Sequence, residues 1–75
     1  MYKIFCIMDD RLVLRDMGDK SDYPTGYVID KEYNIIGERV VMENIVRFNP
    51  YVENPNNEDA KRRFRKDKGK FVEIS

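Results

Sequence analysis

The chain of 75 residues contains no histidine, no tryptophan and only one cysteine. Without histidine it lacks the side chain that most often moves protons near neutral pH, and neither a Ser-His-Asp nor a Cys-His nucleophile arrangement can form. The commonest zinc ligand is missing for the same reason. One cysteine cannot form an internal disulfide. A disulfide-stapled secreted miniprotein is therefore excluded, and we expect a protein of the reducing cytoplasm.

Long hydrophobic runs are also missing. The longest uninterrupted apolar stretch, Ile4 to Met8, has five residues, whereas a helix that spans a bilayer needs about 20. The first residues lack the pattern of a signal peptide, and the sequence therefore predicts a protein without a membrane span. A chain of this length forms one small domain that buries about 60% of its unfolded surface. Such a domain has little room for an elaborate active site.

The apolar residues are concentrated in residues 1–52, where they alternate with polar residues or form short blocks rich in Ile, Val, Tyr and Phe. This pattern predicts strands. In the first strand, Tyr2, Ile4, Cys6 and Met8 are expected to share one face. The expected strands of this part are 2–8, 12–14, 27–30, 35–42 and 45–48.

Turn-forming residues separate these strands. Asp9-Asp10 predicts a tight hairpin, and Met17 to Gly26 predicts a long polar loop. Asn34 tolerates the left-handed conformation that the third hairpin needs, and Gly37 permits a bulge or bend in the fourth strand.

The chain from residue 53 to residue 70 is strongly polar, and its pattern predicts a helix from Asn57 to Lys68. Asparagine is a favoured N-cap, acidic residues occupy the first turn, and basic residues occupy the last. Gly69 supplies a C-terminal stop. A short strand that contains Phe71, Val72 and Ile74 is then expected to return to the sheet.

The expected fold is α+β and dominated by strands. A small antiparallel sheet of about five to six strands is curled into an SH3-like or partly open barrel, followed by one C-terminal basic helix and a short final strand. A three- to five-stranded sheet with one helix packed across it fits the same pattern. Residues 1–75 form a single domain, with a β core at 1–52, a polar linker and basic helix at 53–69, and the final strand at 70–75.

The formal charge is zero, with 14 basic and 14 acidic residues, but the charge is unevenly distributed. Residues 1–60 contain 12 acidic and 7 basic residues, whereas residues 61–70 contain seven basic residues and one acidic residue. Such a segment suits phosphate contacts or an acidic protein surface, although it can also pair with the acidic body of its own chain. The expected partner-binding or phosphate-contacting residues are Lys61, Arg62, Arg63, Arg65, Lys66 and Lys68.

The polar loop is a second candidate contact surface. Its expected contact residues are Asp19, Asp22, Tyr23 and Pro24. Asp16, Asp19 and Asp22 recur at every third position, but a calcium loop places its oxygens at alternate positions, so neither a metal nor a cofactor is expected.

Cys6 and four aromatic residues can be explained by packing as well as by a function. Cys6 is expected in the core, where a thiol behaves as a small hydrophobe. Tyr27, Tyr33, Phe48 and Tyr51 form either a base-stacking platform or ordinary strand packing.

The sequence predicts a non-enzymatic protein-interaction module. We expect a small bacterial or phage-type regulator or inhibitor that binds a host protein. The contacts would come from an acidic sheet surface, the polar loop with its Tyr23 and Pro24, and the basic helix. The alternative is a nucleic-acid-binding protein that uses Lys61 to Lys70 for phosphate contacts. Homo-oligomerisation stays open, because the edge strands of a small sheet offer unpaired backbone groups to a second copy. The expected location is the cytoplasm, or the host cytoplasm if the gene belongs to a phage.

Overall fold

The computed structural model describes residues 1–22 and 24–74, which form seven strands and two short helices. The elements are β1 (Tyr2–Met8), β2 (Arg11–Asp16), β3 (Thr25–Ile29), β4 (Ile35–Val41), α1 (Met42–Phe48), β5 (Val52–Glu53), α2 (Asn57–Ala60), β6 (Arg63–Asp67) and β7 (Lys70–Ile74). The expectation of a strand-dominated protein is confirmed. None of the helices in this described part is long and apolar enough to cross a membrane.

The strands form one antiparallel sheet that curls into a half-barrel, in the order β4-β3-β2-β1-β6-β7. β1 is the central strand: β6 pairs with its beginning, and the short β5 pairs with its end on the same edge. The two outer strands meet at one bridge between Asn34 and Lys70. There the Ile35 N–H donates to the Gly69 carbonyl at 2.9 Å, and the Phe71 N–H donates to the Tyr33 carbonyl at 2.8 Å.

A bulge at Phe5 divides the core into two clusters. Ile4 pairs with Leu14, but Cys6 already pairs with Val13, so Phe5 is an extra residue and the faces of β1 exchange there. The expectation that Cys6 shares a face with Ile4 is therefore wrong. The inner cluster, inside the curl, contains Ile4, Leu14, Ile29, Phe64 and Phe71. The outer cluster contains Cys6, Val13, Val28 and Met42.

The helix α1 replaces the end of the predicted fourth strand and the predicted fifth strand. Met42 and Ile45 are three residues apart, so on a helix they both face the outer cluster. The Met42 N–H donates to the Pro24 carbonyl, and an exposed pair between Glu43 and Arg47 joins neighbouring turns. The β-branched residues of this stretch had suggested a strand, but covering the outer face of the sheet requires helical spacing.

The predicted basic helix is only one turn long. Its start is as expected, because the Asn56 side chain accepts the Asp59 N–H at 2.8 Å. The chain leaves the helical conformation after Ala60, and Arg63–Asp67 becomes β6, which forms a hairpin with β7. The reason lies in Phe64, which as a strand residue is completely buried in the inner cluster. The final strand is where it was expected, although it is one arm of a hairpin.

One turn and the bulge of β4 differ in detail from their predictions. The hairpin at Asp9-Asp10 is confirmed, with Asp9 in the left-handed region. In the β3–β4 turn, however, the left-handed residue is Tyr33 and not Asn34. In β4, the register shifts on both sides of Gly37, as the predicted bulge requires, but it is Arg39 that has a positive φ.

Gly26, predicted to end the polar loop, lies inside β3 under α1. Replacing it by alanine is expected to lower the free energy of unfolding by about 3 kcal/mol or more. The added Cβ would overlap the Met42 methyl group and the Leu14 carbonyl oxygen, and the latter belongs to the backbone of the sheet and cannot rotate away. Urea denaturation measures the change. In the matched control, Gly69→Ala, no atom lies within 4 Å of the new Cβ, so we expect a change within about 0.5 kcal/mol. Equal stability of the two variants would contradict this packing.

Candidate functional site

The basic residues from Lys61 to Lys70 do not form one surface, because alternate strand residues point to opposite faces. The Arg62 side chain points towards the β3–β4 turn and β7. Lys66 lies on the inner face, with its Nζ 4.9 Å from the centre of the Tyr27 ring. Arg63 and Arg65 lie on the outer face. Lys61 and Lys68 are exposed, and Lys68 occupies the β6–β7 turn with a positive φ.

Arg62 is the centre of a hydrogen-bonded cluster formed by Tyr33, Asp59, Arg62 and Glu73, here called the Arg62 cluster. Its Nε and Nη2 donate to the two Glu73 carboxylate oxygens at 2.9 and 2.8 Å, and its Nη1 donates to Asp59 at 3.1 Å. Nη2 also donates to the Tyr33 hydroxyl, which in turn donates to Glu73 at 2.6 Å. The cluster therefore ties the β3–β4 turn and α2 to β7.

The electrostatics of this cluster favour its charged form. Hydrogen bonds from Arg62 and Tyr33 lower the pKa of the Glu73 carboxyl below its ordinary value. The hydrogen bond that Tyr33 donates to Glu73 raises the pKa of the Tyr33 hydroxyl. Because the guanidinium keeps its charge and is engaged by two carboxylates, Arg62 stabilises the fold and is not free for phosphate contacts.

In the polar loop, two aspartate side chains accept hydrogen bonds from nearby backbone N–H groups. The Asp16 side chain accepts the Gly18 N–H at 2.7 Å, and the Asp19 side chain accepts the Ser21 N–H at 2.9 Å. The hydrogen bond from the Ser21 N–H lowers the pKa of the Asp19 carboxyl. In the described residues, no group of three or more His, Cys, Asp or Glu side chains is placed to hold a metal ion.

The predicted loop contacts are not all accessible. Asp22 is exposed and Asp19 is half-buried. Pro24 is one of the most deeply buried residues, and its carbonyl accepts the first N–H of α1, so it offers no contact surface. Tyr23 lies outside the described residues.

Cys6 is buried in the outer cluster, and this burial raises the pKa of its thiol to about 11. The thiol is therefore protonated at neutral pH and is not a nucleophile. Its expected place in the core is confirmed.

The four aromatic residues considered for a stacking platform separate into two pairs. Tyr27 and Tyr33 pack against the inner cluster. Phe48 and Tyr51, in contrast, are 73% and 74% exposed. They lie at the end of α1 and in the turn before β5, close to the half-exposed Val46. We call this surface, residues 46–51, the aromatic turn. The sequence pattern singled out Phe48 and Tyr51 but did not show that they lie apart from Tyr27 and Tyr33. The Asn49-Pro50 turn signal between them was the available indication.

A second surface combines residues that are far apart in the sequence. Lys3 of β1 is paired with Arg15 of β2 and with Arg63 of β6, so the three side chains share one face. Their neighbours Tyr2 and Phe64 point into the inner cluster, and this face is therefore the outer one. Arg65, two residues after Arg63, extends the surface, which we call the outer basic face: Lys3, Arg15, Arg63 and Arg65.

Comparisons with protein-family models, with curated proteins and with solved structures find no match for this chain. The two surfaces are therefore the basis on which a function is assigned.

Replacing Arg62 by lysine is expected to lower the free energy of unfolding by about 1 to 2 kcal/mol, as measured by urea denaturation. Lysine keeps the charge but cannot make the two-pronged contact with Glu73 and also reach Tyr33 and Asp59. The loss is limited because the Arg62 side chain is 29% exposed and water partly screens its ion pairs. The control is Arg47→Lys in the exposed pair with Glu43, with an expected change below about 0.5 kcal/mol. Equal losses in both variants would contradict the special role of Arg62.

The Arg62 cluster also predicts a pH dependence. The folded-state pKa of Glu73 is lower than the ordinary value of 4.5, so its contribution to stability is present above pH 4.5 and is lost as the pH falls through the lower folded value. We expect Glu73→Gln to flatten the acid limb of a plot of unfolding free energy against pH. Glu53→Gln, which removes an exposed carboxylate, serves as the control and should leave the limb unchanged. An unaltered acid limb in Glu73→Gln would rule out this contribution.

Proposed function

We propose that this protein is a non-enzymatic interaction module that binds another protein through its aromatic turn. The observation that carries the proposal is the exposure of Phe48 and Tyr51, at 73% and 74%, in a protein that buries Phe64 and Phe71 completely. Large aromatic side chains are the commonest anchors of protein interfaces, because they bury much apolar area at a small entropic cost. Leaving two of them in water is unfavourable unless a partner covers them.

The surroundings of the aromatic turn define the chemistry of the partner. Tyr51 and Pro50 border a surface depression of about 280 Å³ that Asp9 and Glu53 also line. The Arg47 guanidinium lies 5.8 Å from the centre of the Phe48 ring and is paired with Glu43. An apolar centre with acidic residues on its rim complements a partner that offers an apolar pocket with a basic rim.

The absence of an enzymatic role is part of the proposal. The chain has no histidine, and its only thiol is buried in the outer cluster with a raised pKa. A regulator or inhibitor that acts by occupying a surface needs neither a nucleophile nor a proton shuttle. The composition, rich in Asn, Lys, Ile, Asp and Glu, supports a bacterial or phage-type regulator, and a single reduced thiol supports a cytoplasmic location.

We also propose that the half-barrel is SH3-like. Its support is the order of the strands: β1 to β4 form a meander, and after a helical connection β6 returns to pair with β1. Of the contacts predicted from the sequence, Asp19 and Asp22 in the polar loop remain proposed secondary contacts.

The test is site-specific photo-crosslinking in the native cells. A benzophenone amino acid at position 48 is expected to give a discrete adduct with one protein, because this side chain would lie inside the interface. Adding Tyr51→Ala should weaken binding to that protein at least tenfold, since truncation of a central aromatic anchor commonly costs about 2 kcal/mol or more.

The matched control places the same crosslinker at Asp67, an exposed residue of β6 beyond the opposite end of β1. It should give no adduct with that protein. The proposal fails if both positions give the same adducts, or if the product from position 48 contains only a second copy of this chain.

A further inference from the structure

The outer basic face is distinct from the aromatic turn and lies at the other end of β1. Arg15, Lys3 and Arg63 come from three adjacent strands, which are separated by about 4.8 Å each, and their direct pairing places them in one row across the sheet. Arg65 continues the row along β6. Beside this row, Lys3, Arg15 and Lys20 line a surface depression of about 430 Å³.

The cations of this face make no side-chain salt bridge within the described residues. In residues 1–22 and 24–74, the side-chain salt bridges join Lys31 to Asp10, Arg47 to Glu43, and Arg62 to Asp59 and Glu73. None of them involves the outer basic face. Lys31, Arg47 and Arg62 are therefore paired with carboxylates, whereas no carboxylate of the described residues lies within 4.0 Å of a cationic nitrogen of the outer basic face.

Two arginines of the face are nevertheless held in place. The Arg63 Nη1 donates to the backbone carbonyls of Ala60 and Arg62 at 2.8 and 3.0 Å, and the Arg15 Nη2 donates to the Asp19 carbonyl. Neutral carbonyls fix the guanidinium groups without cancelling their charge, which lowers the entropic cost of binding an anion.

We propose that the outer basic face binds the phosphate backbone of nucleic acid without sequence preference. Charge complementarity points to a polyanion, because a row of unpaired cations displaces the counterions that are condensed on regularly spaced phosphates. An acidic protein surface fits less well. The row has no aromatic anchor to form the apolar centre that protein interfaces commonly have. The carboxylates of Asp19 and Asp22, which line the far side of the depression, limit the affinity. This inference does not depend on a protein partner at the aromatic turn.

The experiment measures binding of the full chain to a fluorescent 20-base-pair duplex and to the matching single strand, by anisotropy between 20 and 200 mM salt. Four phosphate contacts predict a slope of about −3.6 for log K against log salt with the duplex, and about −2.8 with the single strand. The variant Lys3→Gln/Arg65→Gln removes two contacts and should halve both slopes. Arg15 and Arg63 are left unchanged because their backbone hydrogen bonds support the fold.

The control is Lys31→Gln, which removes a lysine that is paired with Asp10 at the other end of β1. Its slopes should equal those of the unchanged protein, and urea denaturation of all variants verifies that they are folded. The proposal is overturned by absence of binding at 20 mM salt, or by equal reduction of the slopes in Lys31→Gln. It is also overturned if poly-glutamate displaces the duplex at an equal concentration of charges, which would assign the face to an acidic protein.

Discussion

The fold depends on the contact by which the β6–β7 hairpin closes the curled sheet against the β3–β4 turn. Two backbone hydrogen bonds make this contact, one on each side of the bridge between Asn34 and Lys70. On their own these two hydrogen bonds would stabilise the contact only weakly, because exposed backbone groups at a sheet edge can form hydrogen bonds with water instead. The Arg62 cluster adds charge-assisted hydrogen bonds at the same place, and Tyr33 packs edge to face on Phe64 at 5.6 Å. Closure in turn shields Phe64 and Phe71 from water, and these two rings are the largest side chains of the inner cluster.

Local signals in the sequence were sufficient for the hairpin at Asp9-Asp10, the cap at Asn56 and the final strand. They failed where a distant contact decides the conformation. The polar stretch after Asn57 has the charge pattern of a helix, but a helix would leave Phe64 without the inner cluster that β1 and β7 complete. Burial of a phenylalanine outweighs the few tenths of a kcal/mol that each helical charge pair contributes. The same holds for α1, where the need to cover Cys6 and Val13 overrides the strand preference of its β-branched residues.

The candidate surfaces also depend on contacts between residues that are far apart in the sequence. The contiguous basic residues at positions 61–70 had predicted a single basic surface there. Contiguous residues on a strand diverge to two faces, and one of the arginines is neutralised in the Arg62 cluster. The outer basic face instead collects Lys3, Arg15 and Arg63, which only the strand register brings together. No property of a single sequence segment reveals that register. The aromatic turn was more predictable than the outer basic face, because Phe48 and Tyr51 were named as candidates and both flank a recognisable turn signal.

The placement of the two surfaces has a consequence for how they would act together. From Lys3 to Met8, where β5 joins the sheet just after the aromatic turn, β1 rises about 17 Å. This is about twice the Debye length of 8 Å at physiological ionic strength, so charge on a ligand at one surface is largely screened at the other. A polyanion on the outer basic face would therefore neither attract nor repel a partner at the aromatic turn by its field. Coupling between the surfaces would have to pass through β1 itself, and the Phe5 bulge, where the faces of that strand exchange, interrupts the regular ladder between them.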